Sequence, residues 1–568
     1  LIMNQRNVFR FILNLKNTRW AQFSKISLTL IFFFASVVVF GQEEAAEVSN
    51  DIMDTRGNQI LVLLMTAILI LVVFMAIVLS DKMIRISATN VKTAEEGHNL
   101  LPSLEEIIPQ RKGKYSGDDH VHRLKKGFDI RIRGKAKREI VKGVRSNTYA
   151  IKPTDWNGLQ PIPKLMVAEG DEVKAGDQIF YDKKIDDVFW TAPVSGEVAE
   201  IRRGDKRAIT EVVILADKKT KFKDFGKMDL SSASREDVVN RLLESGAWTL
   251  INQRPFGLVA DKEATPKAIH ISGFDSSPLA PDYNFVMQGK GAQLQAGINV
   301  LNKLTEGTVH LNLNAKRRPA DAYTQVKDVQ VNWFEGKHPA GVVGVQIHHI
   351  DPIAKGDVVW TLNVEDVITI GKVFSEGIYD PVRTFTMAGP EVKEPKYFEG
   401  HVGLNVEELL NGNLENEHVR VISGNVLSGN AISKDGHLGT FSNALSIIEE
   451  GDFHEFIGWL LPSYARPSLS VTFPWTLFPF EEFKVNTNTH GERRAFVVSG
   501  EYEAVLPMDL YPVHLLKAIL ANDFDKMEGL GIYEVVEEDL AICEFVCTSK
   551  QPVQEILRDG IEFMIEQS

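Results

Sequence analysis

The sequence predicts an α+β chain of several domains preceded by a transmembrane helix, and three observations carry that expectation. The run Ile60 to Leu79, ILVLLMTAILILVVFMAIVL, is uncharged and matches the roughly 20 residues needed to cross a bilayer. Short β-prone runs broken by Gly-Asp and Ala-Gly turns fill Val167 to Lys184 and Thr191 to Ile201, as in a small split barrel. From about Phe225 onward strands alternate with amphipathic helices, the pattern of an α/β layer on a mostly parallel sheet. A chain of 568 residues, 44% of them apolar, has material for several cores.

Taken from the N-terminus, residues 1–40 read as a signal peptide or first membrane segment. Arg6, Arg10, Lys16, Arg19 and Lys25 precede the apolar run Ile26 to Phe40 with no acid among them. Residues 41–59, carrying Glu43, Glu44, Glu47, Asp51 and Asp54, read as an extracytoplasmic linker, and residues 60–79 as the spanning helix. Lys82, Arg85 and Lys92 follow it, so the positive-inside rule puts residues 80–568 on the cytoplasmic face of the inner membrane. Residues 80–122 mix charges, Pro and Gly without periodicity and read as a cytoplasmic tether.

Residues 123–224 resemble the two halves of a lipoyl/biotinyl barrel, a barrel-sandwich hybrid. In carrier domains the modified lysine sits in a hairpin between the halves, where this chain has Asp182-Lys183-Lys184. The connection here is longer and carries Asp186 and Asp187, so a solvated hairpin whose lysines pair weakly with nearby carboxylates is favoured over covalent attachment. Residues 225–385 form the Rossmann-like α/β layer. A Ser-x-x-Asp start predicts a helix over Ser234 to Trp248 ended by Gly246; Lys267 to Phe274 is a strand; Ala292 to Gly307 is a helix closed by Gly307; Thr308 to Asn314 is a strand. A nucleotide in such a layer binds at the carboxyl ends of the strands. Residues 446–568 make a C-terminal domain with a helical run over Val513 to Leu520 and a terminal helix over Val553 to Glu566.

Composition excludes some chemistry. The net charge of −13 opposes nucleic-acid binding, for which a local basic patch would have to outweigh the global field. Cys543 and Cys547 are the two cysteines, too few for an iron–sulfur cluster, and their spacing puts both thiols on one helix face, where core packing is favoured. His338, His348, His349 and Asp351 suggest a metal site, but the alternation in GVVGVQIHHIDP reads as a strand sending His348 and His349 to opposite faces, which favours structural histidines.

Seven motifs in order carry a family resemblance: LKKGFDIRIRGK (Leu124 to Lys135), YDKK with TAPVSGEV, SGAWTLINQRPF (Ser245 to Phe256), HPAGVVGVQIH (His338 to His348), RVISGNVLSG (Arg420 to Gly429), LPMDLYP (Leu506 to Pro512) and EEDLAICEFVC (Glu537 to Cys547). From Arg123 onward the chain resembles the A subunit of the sodium-translocating NADH:quinone reductase, and departs from it in the first 122 residues. The resemblance implies a complex that oxidises NADH, passes electrons through flavins and iron centres on other subunits, reduces quinone and exports sodium. This chain would supply assembly and quinone-side geometry, with no catalytic residue, cofactor or metal of its own. Its partners would be the other subunits, quinone and the membrane, not nucleic acid. Residues 386–445 resemble the small β-grasp (SLBB-like) domain of related proteins. Those relatives include the flavin- and NADH-binding subunit of respiratory complex I, where a glycine-rich loop lets backbone N–H groups approach the flavin phosphate. The matching place here holds Trp248, Leu250, Gln253 and Arg254, whose bulk argues against bound FMN. Arg254-Pro255-Phe256 places a cation beside an aromatic ring, and Trp248, Gln253, Arg254 and Phe256 are the quinone-proximal candidates. Two other readings stay open: an FMN- or NADH-binding dehydrogenase subunit in its own right, and a membrane-anchored adaptor of the secretion type, which requires a long coiled coil between the barrel halves.

Overall fold

The structure, a computed structural model, describes residues 62–77, 80, 114–117, 119–159, 161–185, 187–456, 466–469 and 482–567. The expected leader at 1–40, the linker at 41–59 and most of the tether at 80–122 lie outside these residues. The chain divides into two units, Leu1–Ile107 and Ile108–Ser568. In the first, residues 62–77 are helical. The Thr66 hydroxyl donates to the Val62 carbonyl at 2.8 Å and the Ser80 hydroxyl to that of Ala76 at 2.8 Å, so the helix satisfies these side chains by itself. Among the described residues no helix is long and apolar enough to cross a membrane. Positions 60, 61, 78 and 79 of the expected span are outside them.

The second unit holds the split barrel. One sheet orders Thr148–Ile151, Ile209–Ala216, Gly196–Arg203 and Glu172–Val173; the other orders Lys164–Leu165, Gln178–Tyr181 and Phe189–Thr191. Alternate residues of these strands, Phe180, Trp190, Val198, Val212 and Ile214 among them, close the core between the sheets, and Phe180 stacks on Trp190 at 5.6 Å.

The α/β sheet runs Val121–Arg123, Gln330–Glu335, Thr308–Asn314, Ala268–Ser272, Val359–Asn363, Asn252–Arg254 and Leu258–Val259. The first five are mutually parallel and the last two antiparallel. The globular part therefore starts with an edge strand of this sheet, not with the barrel. The helix Arg235–Ser245 begins as expected, with Ser234 and Asp237 exchanging cap hydrogen bonds, and ends at Gly246 with φ 76°. Helices Gly291–Leu301 and Val364–Ser375 pack so closely that a Cβ on Gly297 would sit 2.0 Å from the Val367 carbonyl oxygen.

Two expectations are corrected. The helix expected to close at Gly307 stops at Leu301, and Gly307 instead abuts the lead-in to the neighbouring strand, where a Cβ would meet the Lys267 oxygen at 1.9 Å. The segment read as a strand through His348 and His349 is a helix, Val343–Ile350, burying Gly344, Val345, Gln346 and Ile347. A helix sandwiched between a sheet and a further domain shows no polar stripe, so its apolar run carries no helical period and β-branched propensity misleads.

A third sheet orders Asn430–Ile432, Val419–Ser423, Ala444–Glu449, Val382–Ala388, Lys396–His401 and Ile140–Val144. Strand Val382–Ala388 crosses the limit expected between 385 and 386, and Ile140–Val144 comes from within the expected barrel segment. Helices Pro512–Leu520, Glu537–Val546 and Val553–Gln567 lead the C-terminal bundle.

Candidate functional site

In the α/β sheet the chain passes from Ala268–Ser272 outward through Thr308–Asn314 to Gln330–Glu335, then returns to the other side of Ala268–Ser272 as Val359–Asn363. That reversal is a topological switch point, where the loops leaving two adjacent parallel strands diverge and leave a crevice. A cavity of about 890 Å³ opens there, reaching Ser272, Asp275 and Asn363 at the strand ends. The barrel contributes Lys152, Asp155, Arg202 and Glu211, the third sheet the loop around Ser423 to Ser442, and the helix Glu537–Val546 contributes Glu538 and Ala541. Of the seven resemblance motifs, four meet at this cavity: HPAGVVGVQIH, RVISGNVLSG, EEDLAICEFVC through Glu538 and Ala541, and SGAWTLINQRPF through Asn252.

Its electrostatics disfavour phosphate. Asp155, Glu211, Asp275, Asp366 and Glu538 line it, and its two lysine and arginine side chains, Lys152 and Arg202, both pair with Glu211, at 3.3 and 2.8 Å. Burial opposes ionisation of Glu211, but His437, Lys152 and Arg202 outweigh it and hold the carboxyl down to about 2. Burial pushes Asp155 and Asp366 up from the usual carboxylate range. Glu538 is raised to about 7, chiefly by desolvation, with Arg254 pulling the other way and Asp539 adding repulsion. Its side chain borders the open cleft and is 48% exposed. The helix Val364–Ser375 starts at the cavity with Asn363 as its cap, and its first turn carries Glu365 and Asp366. The positive end of the helix dipole, the usual seat of a bound phosphate, is thus taken by the chain's own carboxylates, with Asp366 paired to the buried Arg383.

None of Trp248, Gln253, Arg254 and Phe256 lines this cavity, so side-chain volume at Trp248 to Arg254 does not close it. Trp248 is fully buried, donates from its indole nitrogen to the Ala260 carbonyl at 2.8 Å and packs edge-on against Trp360. The Gln253 side-chain oxygen accepts from the Asp261 N–H at 3.0 Å and the Trp360 indole at 3.3 Å. Arg254 is 2% exposed and binds Asp539 at 2.5 Å and Glu538 at 2.7 Å. A free cation beside an aromatic ring is therefore not what the structure holds at this turn. Phe256 is half-buried against Tyr533, 5.9 Å between centroids. Asp275, Asp366 and Glu538 were not singled out from the sequence, although position alone pointed to two of them, since Asp275 follows the strand end and Asp366 opens the next helix.

Of the remaining candidates, the histidines and cysteines hold contacts within the chain. His338 is buried, 3.0 Å from the Ser276 hydroxyl, which in turn accepts the Gly341 N–H. His348 accepts the Asp509 N–H through Nε2 at 3.0 Å and therefore donates from Nδ1 to Glu534 at 2.7 Å, while His349 reaches the Pro507 carbonyl at 2.7 Å. His348 thus joins the motif HPAGVVGVQIH to LPMDLYP, and His349, the residue after it, adds a second bond. Cys543 and Cys547 are both buried, and the Tyr502 hydroxyl donates to the Cys547 sulfur at 2.9 Å. Lys183 and Lys184 are exposed, with no ion pair among the described residues; Asp187 of the same hairpin pairs with Lys262 at 3.1 Å. The barrel halves are joined by this turn between Tyr181 and Phe189, not by a coiled coil.

Three family models match the chain in order: the N-terminal barrel-sandwich hybrid domain of NqrA at residues 122–217, its second alpha/beta domain at 233–379 and its C-terminal domain at 385–434. Proteins named as the A subunit of the Na(+)-translocating NADH-quinone reductase are similar over nearly their whole length. That of Yersinia pestis bv. Antiqua (strain Angola) is 38% identical, covering 77% of this chain and 98% of its own. That of Serratia proteamaculans (strain 568) is 37% identical over the same shares, and that of Rhodopirellula baltica is 37% identical over 78% and 97%. Among solved structures, an NAD+-reducing NiFe-hydrogenase in the air-oxidised state matches 61% of this chain and 67% of its own at 11% identity, with a TM-score of 0.30 that is too low to carry an argument.

Proposed function

Because the chain belongs to the NqrA family, the A subunits of Na(+)-translocating NADH-quinone reductases, we propose that it serves that complex as a membrane-tethered scaffold, leaving NADH, flavins and iron centres to other subunits. It is a subunit of the sodium-pumping NADH:quinone reductase, without a full active site of its own, and its partners are the other subunits of that membrane-associated complex. The observation that carries the scaffold reading is the N-terminus of the helix Val364–Ser375, where Glu365 and Asp366 stand in place of a ligand phosphate. A flavin or dinucleotide would meet carboxylates there that already take up the neighbouring cations, Arg383 at Asp366 and Lys290 at Glu365.

On this reading the quinone-side surface is formed by Phe256 and the half-exposed Gln253, with Trp248 and Arg254 as the buried support beneath them. Residues 60–79 cross the inner membrane and residues 80–568 face the cytoplasm, which raises the local concentration of the scaffold near its membrane partners. The cavity's volume favours the second reading, a bound flavin or NADH, and its charge opposes it. One preparation separates the two. Drawn down through a C-terminal tag, the full chain should carry with it the other subunits and sodium-stimulated quinone reduction, and once separated from them it should be colourless. Stoichiometric flavin absorbance in the isolated chain would reverse the assignment.

A further inference from the structure

Residues 123–145 hold ten lysines and arginines against Asp129 and Glu139, in a chain whose net charge is −13. Burial alternates along part of this segment: Ile130, Ile132 and Ala136 are buried while Arg131, Arg133, Lys135 and Lys137 are exposed. Lys125, Lys126 and Lys142 are exposed as well. Arg123, Arg138 and Arg145 are held by Glu335, by Asp282 and by the Lys218 carbonyl, but the seven exposed cations form no ion pair among the described residues. The carboxylates nearby are engaged elsewhere: Asp129 accepts the His338 N–H at 2.9 Å, and Glu394, beside Lys137, is held by Lys396 at 2.8 Å.

A single unpaired surface lysine needs no account, since exposed ion pairs contribute little. Seven within one short segment repel one another, and in a chain with 76 acidic residues they stand apart from available counter-charge. We propose that residues 125–142 are a lipid-binding strip that lies on an anionic membrane surface. Headgroup phosphates satisfy mobile Lys and Arg side chains without shape complementarity, and none of the seven lines the 890 Å³ cleft or presents a pocket edge to a compact ligand. About 45 residues separate Leu79 from Lys125, which bounds the strip to within about 150 Å of any bilayer that takes up Ile60 to Leu79. In this respect the proposal rests on the membrane span proposed for residues 60–79.

The test is lysine footprinting of the full chain in nanodiscs of phosphatidylcholine alone or with phosphatidylglycerol. The strip predicts several-fold lower labelling of Lys125, Lys126, Lys135, Lys137 and Lys142 in the anionic discs, restored by high salt, with Lys183 and Lys184 unchanged. The fourfold variant Arg131→Gln, Arg133→Gln, Lys135→Gln, Lys137→Gln should melt like the parent chain and lose the protection of Lys125, Lys126 and Lys142. Equal labelling in the two lipid compositions overturns the proposal. Protection that appears only when the other subunits are added, whatever the lipid, also overturns it and assigns the strip to an acidic protein surface. Carbonate washing of the vesicles reads the span separately: a chain that washes off but keeps its lipid-dependent protection removes the span and leaves the strip.

Discussion

Arg254 and Asp539, 285 positions apart in the chain, meet at 2.5 Å in a site where both are buried. Asp539 also accepts the Val536 N–H at 2.8 Å at the start of the helix Glu537–Val546, so one carboxylate ties the α/β layer to the C-terminal bundle. Replacing Arg254 with Met leaves that carboxylate buried without its partner, a loss of about 3–5 kcal/mol. Urea denaturation of Arg254→Met should show it, and the double variant with Asp539→Leu should recover part, because the helix-start bond is still missing.

Gly344 stands against the same pair. A Cβ there would lie 2.2 Å from the Asp539 carboxylate and 2.3 Å from the Arg254 guanidinium. Gly344→Ala should therefore destabilise by about 1–3 kcal/mol through overpacking, against the ordinary gain from alanine in a helix. Combined with Asp539→Leu it should show strong non-additivity in thermal melts.

Glu211 gives a pH dependence with a definite sign. Its folded-state pKa is held at about 2, below the usual 4.5, so its contribution is complete above pH 4.5 and is lost as pH falls from there toward 2. Arg202 is 41% exposed, and solvent screening reduces the contribution to about 1–2 kcal/mol. Glu211→Gln should flatten the stability curve across that acid window, as read by denaturant midpoints at stepped pH.

Phe256 tests the quinone-side proposal. In the purified complex Phe256→Ala should raise the KM for quinone several-fold while leaving subunit content unchanged. A fall in subunit content with unaltered KM would make the residue an assembly contact instead.

The fold was readable where one face of an element meets solvent or a cap is spelled out. Ser234 and Asp237 announced the helix Arg235–Ser245, and Thr308–Asn314 was readable as a strand to the residue, although its interior is buried on both faces. It failed at Val343–Ile350, which is covered on both sides and so carries no polar stripe. The motif containing Trp248 and Arg254 was found by resemblance, but which atoms the guanidinium meets depends on Asp539, and no local pattern encodes a contact across 285 positions. The cavity was legible as a location, the carboxyl ends of parallel strands, and not as a charge distribution, because its acids come from five separate stretches of chain.

The strand Val121–Arg123 completes the α/β sheet by pairing with Gln330–Glu335. Its backbone occupies hydrogen-bonding groups that would otherwise offer a template to any extended peptide. A shortened chain beginning at Leu124 would keep every residue of the barrel and bare that sheet margin, so the few residues ahead of Lys125-Lys126-Gly127 act as a guard against self-association. Trimming the N-terminal extension for solubility would, at that point, work against its own purpose.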